Sequence, residues 1–215
     1  MREPYVVGIL HHMRGFRNGL KYISDKCPHM RDAAGLYGFP KSRKRAPGFA
    51  TLVRIIIDQQ VSVQAGAAIW KRLETSCGIV SPDNVIMLGE DGLRLAGLSG
   101  AKARYVHGIA LAIESGELDL DRLHRCRQDT IFTELTRLKG IGRWTAEIYL
   151  MFALGRPDIM PVGDIALQSA AGRLLGLKQR PGPKELEVIG ERWRPYRSVA
   201  AVMLWHFYKK MPAER

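Results

Sequence analysis

Cysteine is scarce in this sequence. Cys27, Cys77 and Cys126 are the 3 in the chain, far apart, with no C-x-x-C and no clustered Cys/His spacing. A zinc finger, an iron–sulfur cluster and a secreted disulfide framework therefore have no pattern to rest on, and we read the three as plain thiols. Long apolar runs are missing too: the longest uncharged one near the end, Ser198 to Tyr208, is too short to cross a bilayer. The first residues carry Arg2 and Glu3 but no apolar core with a cleavage site, so no secretion signal is expected, and we expect a soluble intracellular protein. No repeat at solenoid periods and no Gly/Ser- or Pro-rich linker divides the chain.

Negative charge is the last shortage. Lys plus Arg number 33 against 21 Asp plus Glu, a net charge of +12. Such an excess suits a polyanionic partner, a nucleic acid or an anionic membrane surface, although a basic surface without a partner has the same composition. Apolar residues make up 46% and charged residues 25% of the 215, which is ordinary for a globular chain able to bury a core without staples.

What is present reads as helix. Phe49, Leu52, Val53, Ile56 and Ile57 form an apolar stripe over Phe49 to Gln59. Ser62 caps a second helix through Leu73, and Ser81-Pro82-Asp83 opens a third. Leu98-Ser99 precedes another, ending near Gly116. Asp129 to Leu138 is amphipathic, Trp144 to Leu154 resumes after a glycine turn, and Asp164 precedes Ile165 to Leu175. Pro183 and Pro195 open the last two helices, the final one reaching about Tyr208. With no convincing alternation, the fold class is all-α, about ten short helices. The stretch Lys41-Ser42-Arg43-Lys44-Arg45, ahead of Pro47-Gly48, is either an exposed basic loop with a role or a solvated connector.

The most informative segment is Leu138-Lys139-Gly140-Ile141-Gly142-Arg143-Trp144-Thr145-Ala146. Two helices meet at a tight turn in which Gly140 and Gly142 can take positive φ and leave amides bare at a helix start, where an anion is favoured. The Thr145 hydroxyl can join them, and Lys139 and Arg143 add charge. Together these make a clamp for DNA phosphates that reads no bases. An ordinary αα-hairpin is the plainer alternative.

Five segments in order resemble one family. Leu138 to Ala146 is similar to the helix-hairpin-helix of the base-excision DNA glycosylase superfamily. Met160-Pro161-Val162-Gly163-Asp164 is similar to its Gly/Pro-rich loop with the catalytic Asp, and Asp58-Gln59-Gln60-Val61-Ser62 to its Gln-Gln-Ile/Val-Ser element. Leu98-Ser99-Gly100-Ala101-Lys102-Ala103-Arg104-Tyr105 matches Leu-Ser-x-x-Lys-x-x-Tyr, and Trp193-Arg194-Pro195-Tyr196-Arg197-Ser198 with Trp205 matches Trp-x-Pro-Trp-Arg-Ser…Trp. The likeness spans about Gly48 to Tyr208, nearest the 3-methyladenine DNA glycosylase II (AlkA-type) branch. Tyr196 and Ile148 depart from that branch's usual aromatics, and the residues ahead of Gly48 are too few for the extra β-rich domain it can carry.

The resemblance implies a helix-hairpin-helix glycosylase core over 48–215 in two lobes with the cleft between them, preceded by a helical segment, 1–47, packed on that core. It implies a DNA glycosylase that flips an N-alkylated purine from duplex DNA and hydrolyses its N-glycosidic bond, starting base excision repair. Asp164 would be catalytic, its alternative being a plain N-cap; Trp144 and Trp205 would line the base pocket, the alternative being core tryptophans; Gln60 would fill the gap left by the flipped base, the alternative being a buried or capping Gln. The superfamily's lyase members carry a Lys where Trp144 stands, so strand cleavage is not expected. No cofactor is required; a Na or K ion on the carbonyls of Thr136, Leu138 and Ile141 follows from related hairpins, and an iron–sulfur cluster does not. The expected partner is damaged double-stranded DNA, with no membrane, a monomeric state, and a place in the bacterial cytoplasm at the nucleoid or in a eukaryotic nucleus. A glycosylase for oxidised or deaminated bases and a non-catalytic hairpin module are the other readings. A helix-turn-helix regulator is disfavoured because Trp144 to Leu154 is too apolar for a recognition helix.

Overall fold

Helix and loop make up all the described residues, 15–42 and 45–212, of this computed structural model, with no strand among them. In chain order the helices are α1 (Phe16–Lys26), α2 (Pro28–Tyr37), α3 (Phe49–Asp58), α4 (Val63–Cys77), α5 (Pro82–Leu95), α6 (Gly100–Glu114), α7 (Leu120–Leu123), α8 (Gln128–Thr136), α9 (Arg143–Phe152), α10 (Ile165–Leu174), α11 (Pro183–Glu191) and α12 (Arg197–Tyr208). The all-α expectation holds. Residues 1–14, and Arg43 and Lys44 of the basic stretch, lie outside the described residues, as does the N-terminal end examined for a signal.

The helix starts follow local cap chemistry. Ser62 Oγ accepts from the Ala65 amide at 3.1 Å, Ser81 Oγ from Asn84 and Ser99 Oγ from Lys102, both at 3.3 Å. Where the structure differs from the sequence pattern, the helix does not follow its apolar stripe. α4 runs past Leu73 to Cys77 on exposed residues and stops only at Gly78, whose φ of 67° no longer continues a helix. The short α7, capped by Asp119, has too few residues for a period to show. α12 starts two residues after Pro195, because the Tyr196 amide first closes a turn onto the Trp193 carbonyl at 2.8 Å.

The chain divides into two compact units. One is continuous, Arg45–Leu154; among the described residues the other joins 15–42 with 155–212, whereas the sequence pattern puts the division between 47 and 48. The continuous unit is built around α3: Leu52, Val53, Ile56 and Ile57 are completely buried, each such side chain contributing about 1.5–3 kcal/mol. α3 packs against α4, α6 and α9. The segment before it is tied down by the Gly48 amide donating to the Tyr149 hydroxyl at 2.9 Å. Burial raises the Tyr149 phenol's pKa, and the bond from Gly48 partly offsets that.

The second unit is organised by α12, buried from Ser198 to Leu204 and again at Phe207, with α1, α2 and α10 packed on it. Its first turn also fixes a loop. Arg197 grips Asp158 in a fork, Nε to Oδ1 at 2.8 Å and Nη2 to Oδ2 at 3.1 Å, and Nη2 donates to the Asp158 carbonyl at 3.0 Å. Ser198 Oγ, fully buried, accepts from the Ile159 amide at 2.9 Å and donates to the Arg156 carbonyl at 2.7 Å. The loop so fixed leads directly into Met160–Asp164.

Ser198→Ala removes both partners of that loop and leaves a buried amide without an acceptor. It should cost about 1–3 kcal/mol, read as a lower urea midpoint at unchanged slope. A midpoint equal to that of the parent protein would show that Arg197, Arg194 and the Ser198 amide, which donates to the Pro157 carbonyl at 2.9 Å, hold the loop without the hydroxyl.

Candidate active site and nucleic-acid interface

Asp164 is both an N-cap and something more. Its Oδ1 accepts from the Leu167 amide at 2.9 Å, which starts α10, and from the Trp205 indole N–H at 3.1 Å. Trp205 is half-buried on α12, so the carboxylate stands against an indole wall. Behind it the loop is closed by the Asp164 amide on the Pro161 carbonyl at 2.9 Å and by Gln168 Nε2 on the Val162 carbonyl at 2.8 Å. The positive end of α10 favours a negative charge at this point.

The hairpin between α8 and α9 is closed by the Ile141 amide on the Leu138 carbonyl at 3.1 Å, with the Ile141 side chain buried beneath. Gly140 has φ 93°, and a Cβ there would lie 2.4 Å from both Cβ and Cγ of Tyr105. Gly142 is different from expectation. Its φ is −83° and ψ 177°, the extended geometry of an N-cap, so positive φ is a property of Gly140 alone in this turn. Gly142, Arg143 and Lys139 are exposed and Trp144 is half-buried, all at or beside the amide end of α9.

Thr145 does not offer its hydroxyl to a phosphate as expected. It is 1% exposed, and its Oγ1 accepts from Gln59 Nε2 at 2.7 Å. At the third position of α9 its side chain falls on the helix's inner face. Arg143, one turn before Glu147, donates from Nε to the buried Glu147 Oε1 at 2.8 Å, which orients the guanidinium.

Gln60 lies in the loop between α3 and α4, exposed, with φ 53°. Among the described residues it is the one non-glycine with positive φ, a conformation costing of the order of 1–3 kcal/mol. The neighbouring Gln59 also bonds the Gly140 carbonyl, Nε2 to O at 3.3 Å. Lys102 Nζ donates to the carbonyls of Ile57 at 2.9 Å and Gln59 at 2.6 Å. Burial pushes the Lys102 ammonium below the usual lysine value, while the Asp58 carboxylate pulls it back. Gln59, Lys102, Arg197 and Ser198 are visible in the sequence only as motif members, without tasks; their partners lie from 39 to 86 residues away.

A capped carboxylate beside an indole, and a glycine turn opening a helix, define a helix-hairpin-helix protein of the DNA glycosylase type. Residues 53–195 match the family model for the HhH-GPD superfamily base excision DNA repair protein. The alkylbase DNA glycosidase-like protein mag2 of Schizosaccharomyces pombe is 29% identical over 163 residues, 74% of this chain and 76% of that protein. A crystal structure of DNA-3-methyladenine glycosidase from Bacillus halodurans is 35% identical with a TM-score of 0.75, covering 87% of each chain. The 3-methyladenine DNA glycosylase Mag1 of Schizosaccharomyces pombe, in complex with abasic DNA, is 27% identical with a TM-score of 0.78, over 87% of this chain and 95% of that one. This chain belongs to the HhH-GPD superfamily.

The two hairpin glycines should answer differently to a methyl group. Gly140→Ala meets Tyr105 and an unfavourable φ, the latter alone costing about 1–2 kcal/mol, and should lower the melting temperature clearly. Gly142→Ala meets nothing within 4 Å and should melt close to the parent. Equal melting of both variants would mean that the turn relaxes away from Tyr105.

Proposed function

We propose that this chain is a monofunctional DNA glycosylase that removes N-alkylated purines from duplex DNA by hydrolysis. The observation that carries the reading is Asp164, a carboxylate held by Leu167 and Trp205 in a fixed loop, in a chain of this superfamily. The relatives named for alkylated bases support the substrate class.

Breaking the bond between C1′ and the purine nitrogen sends the electron pair to the base. An N-alkylated purine leaves neutral because it starts cationic, so no acid is needed. Positive charge then gathers on the deoxyribose, and a water adds at C1′ and gives up its proton to solvent, so that the charge brought by the cationic base leaves as that proton. A carboxylate about 4 Å from that charge, at an effective dielectric near 20, stabilises it by roughly 4 kcal/mol. That amounts to about a thousandfold in rate. The Asp164 carboxylate supplies this charge and orients the water. Trp205, beside it, offers a flat face to a cationic base, worth about 0.5–2 kcal/mol, and we assign Trp144 the same kind of task. Selectivity then rests chiefly on the weakened bond of the damaged base.

Lys139, Arg143 and the amides opening α9 bind phosphate, and Gln60 enters the space vacated by the flipped base. We assign a Na or K ion to the hairpin carbonyls of Thr136, Leu138 and Ile141, as the resemblance implies: a carbonyl has two lone pairs, and the Leu138 oxygen spends one on the Ile141 amide. Such an ion would draw the turn tight and add positive charge near the phosphate.

Asp164→Asn retains an oxygen that accepts from both Leu167 and Trp205, and Asn caps about as well as Asp. Melting should change little while single-turnover release of 3-methyladenine falls by about a thousandfold. Undiminished release by the folded variant would return Asp164 to a purely structural cap.

Trp144 stands where a lyase amine would be, and an indole forms no Schiff base. Turnover in borohydride should give no protein–DNA adduct and an unbroken abasic strand. A stoichiometric adduct would overturn the hydrolase assignment.

A further inference from the structure

The turn at the end of α3 has an unusual demand placed on it. Gln60 must hold a left-handed conformation that side chains other than glycine disfavour, and do so at an exposed position. The carbonyls just ahead of it, at the negative end of a helix, would otherwise point at water. Lys102 reaches both from another helix, with bonds of 2.9 Å to Ile57 and 2.6 Å to Gln59.

α6 also reaches the hairpin, one turn further on. Tyr105, three residues after Lys102 and so on the same face, packs against Gly140 so closely that no Cβ fits. Gln59 closes the triangle, its side chain bonded to the Gly140 carbonyl at 3.3 Å and to Thr145 Oγ1 at 2.7 Å. The register of α6 is itself set by the Ser99 cap on the Lys102 amide. A wedge has to enter the duplex at a fixed distance from the phosphates that the hairpin holds. These contacts tie the one to the other.

We propose that Lys102 is a positioning residue for base flipping: its ammonium holds the left-handed turn of Gln60 in register with the hairpin. The proposal rests on Gln60 being the wedge. Lys102 touches neither base nor sugar, and acts through the backbone carbonyls of Ile57 and Gln59. Without it those carbonyls lose their donor and the turn relaxes toward a more favourable φ. The protein then still grips phosphate but inserts Gln60 poorly.

The test is a double-mutant cycle in the full chain with Lys102→Met, which keeps the stem and removes the donors, and Gln60→Ala. Flipping is read from the fluorescence of 2-aminopurine beside an alkylated base, alongside excision, melting and affinity for undamaged duplex. Lys102→Met should bind undamaged duplex within about threefold of the parent, yet flip and excise about tenfold more slowly, and cost nothing more in the Gln60→Ala background. Retained flipping in Lys102→Met, or a full second loss on top of Gln60→Ala, overturns the proposal, because Lys102 would then not act through Gln60. Normal flipping by Gln60→Ala alone removes the wedge reading instead, and is visible in that arm by itself. Should Lys102→Met melt too low to assay, Lys102→Gln, which keeps a single amide donor, takes its place with the same direction of effect and the same overturning results.

Discussion

Two N–H groups converge on one oxygen of Asp164, and the chemistry available to this chain depends on where that oxygen sits. The amide of Leu167 comes from the helix that the carboxylate starts; the indole of Trp205 comes from a helix 41 residues further along. Capping and catalysis were alternatives in the sequence. In the structure the cap is present, Leu167 and Trp205 hold the carboxylate still, and the catalytic role proposed above draws on that same fixed charge. A charge already oriented before the reaction needs no reorganisation while the sugar becomes positive, and that is where a fixed dipole surpasses water. Arg197 and Ser198 extend the same logic one layer out, since they immobilise the loop from which the carboxylate projects.

How much of this was legible depends on the range of the interaction concerned. Ser62, Ser81, Ser99 and Asp164 were readable as caps because a cap acts across three residues of contiguous chain. The apolar stripe of α3 was readable because every turn of it is buried. Thr145 was misjudged because its position in the first turn of α9 says nothing about which face meets the core; its partner, Gln59, is 86 residues away. Gly142 was misjudged because a glycine is equally at home in extended and left-handed backbone, and only the turn around it selects one. Lys102 and Gln59 were visible as letters of a motif, while their task depends on contacts that no local pattern encodes.

The hairpin also tempers the simple picture of a basic surface meeting an acidic polymer. Arg143 is held by Glu147, a carboxylate only 6% exposed at its side chain. That pairing reduces the net charge of the helix start, but it also fixes the direction of a long side chain. In the proposed phosphate contact less rotamer freedom would then be lost, so placement would compensate in part for reduced charge. The net excess of +12 draws a polyanion near, and in the proposed reading the oriented backbone and guanidinium decide how it lies.

The division of the chain carries a consequence for how the molecule is made. Residues 45–154 form their unit from contiguous sequence, so this part has all its partners once a ribosome has passed it. The other unit draws on both sides of that insertion: α1 and α2 emerge first, but the helix they pack on, α12, is synthesised last. During that interval α1 and α2, whose Ile23 and Met30 are wholly buried in the finished protein, can pack on each other but not on α12. Prior folding of the intervening unit reduces the chain that must be searched, since a folded insert closes a loop far shorter than its residue count. Birth order thus leaves α1 and α2 waiting on α12, open meanwhile to chaperones and to self-association.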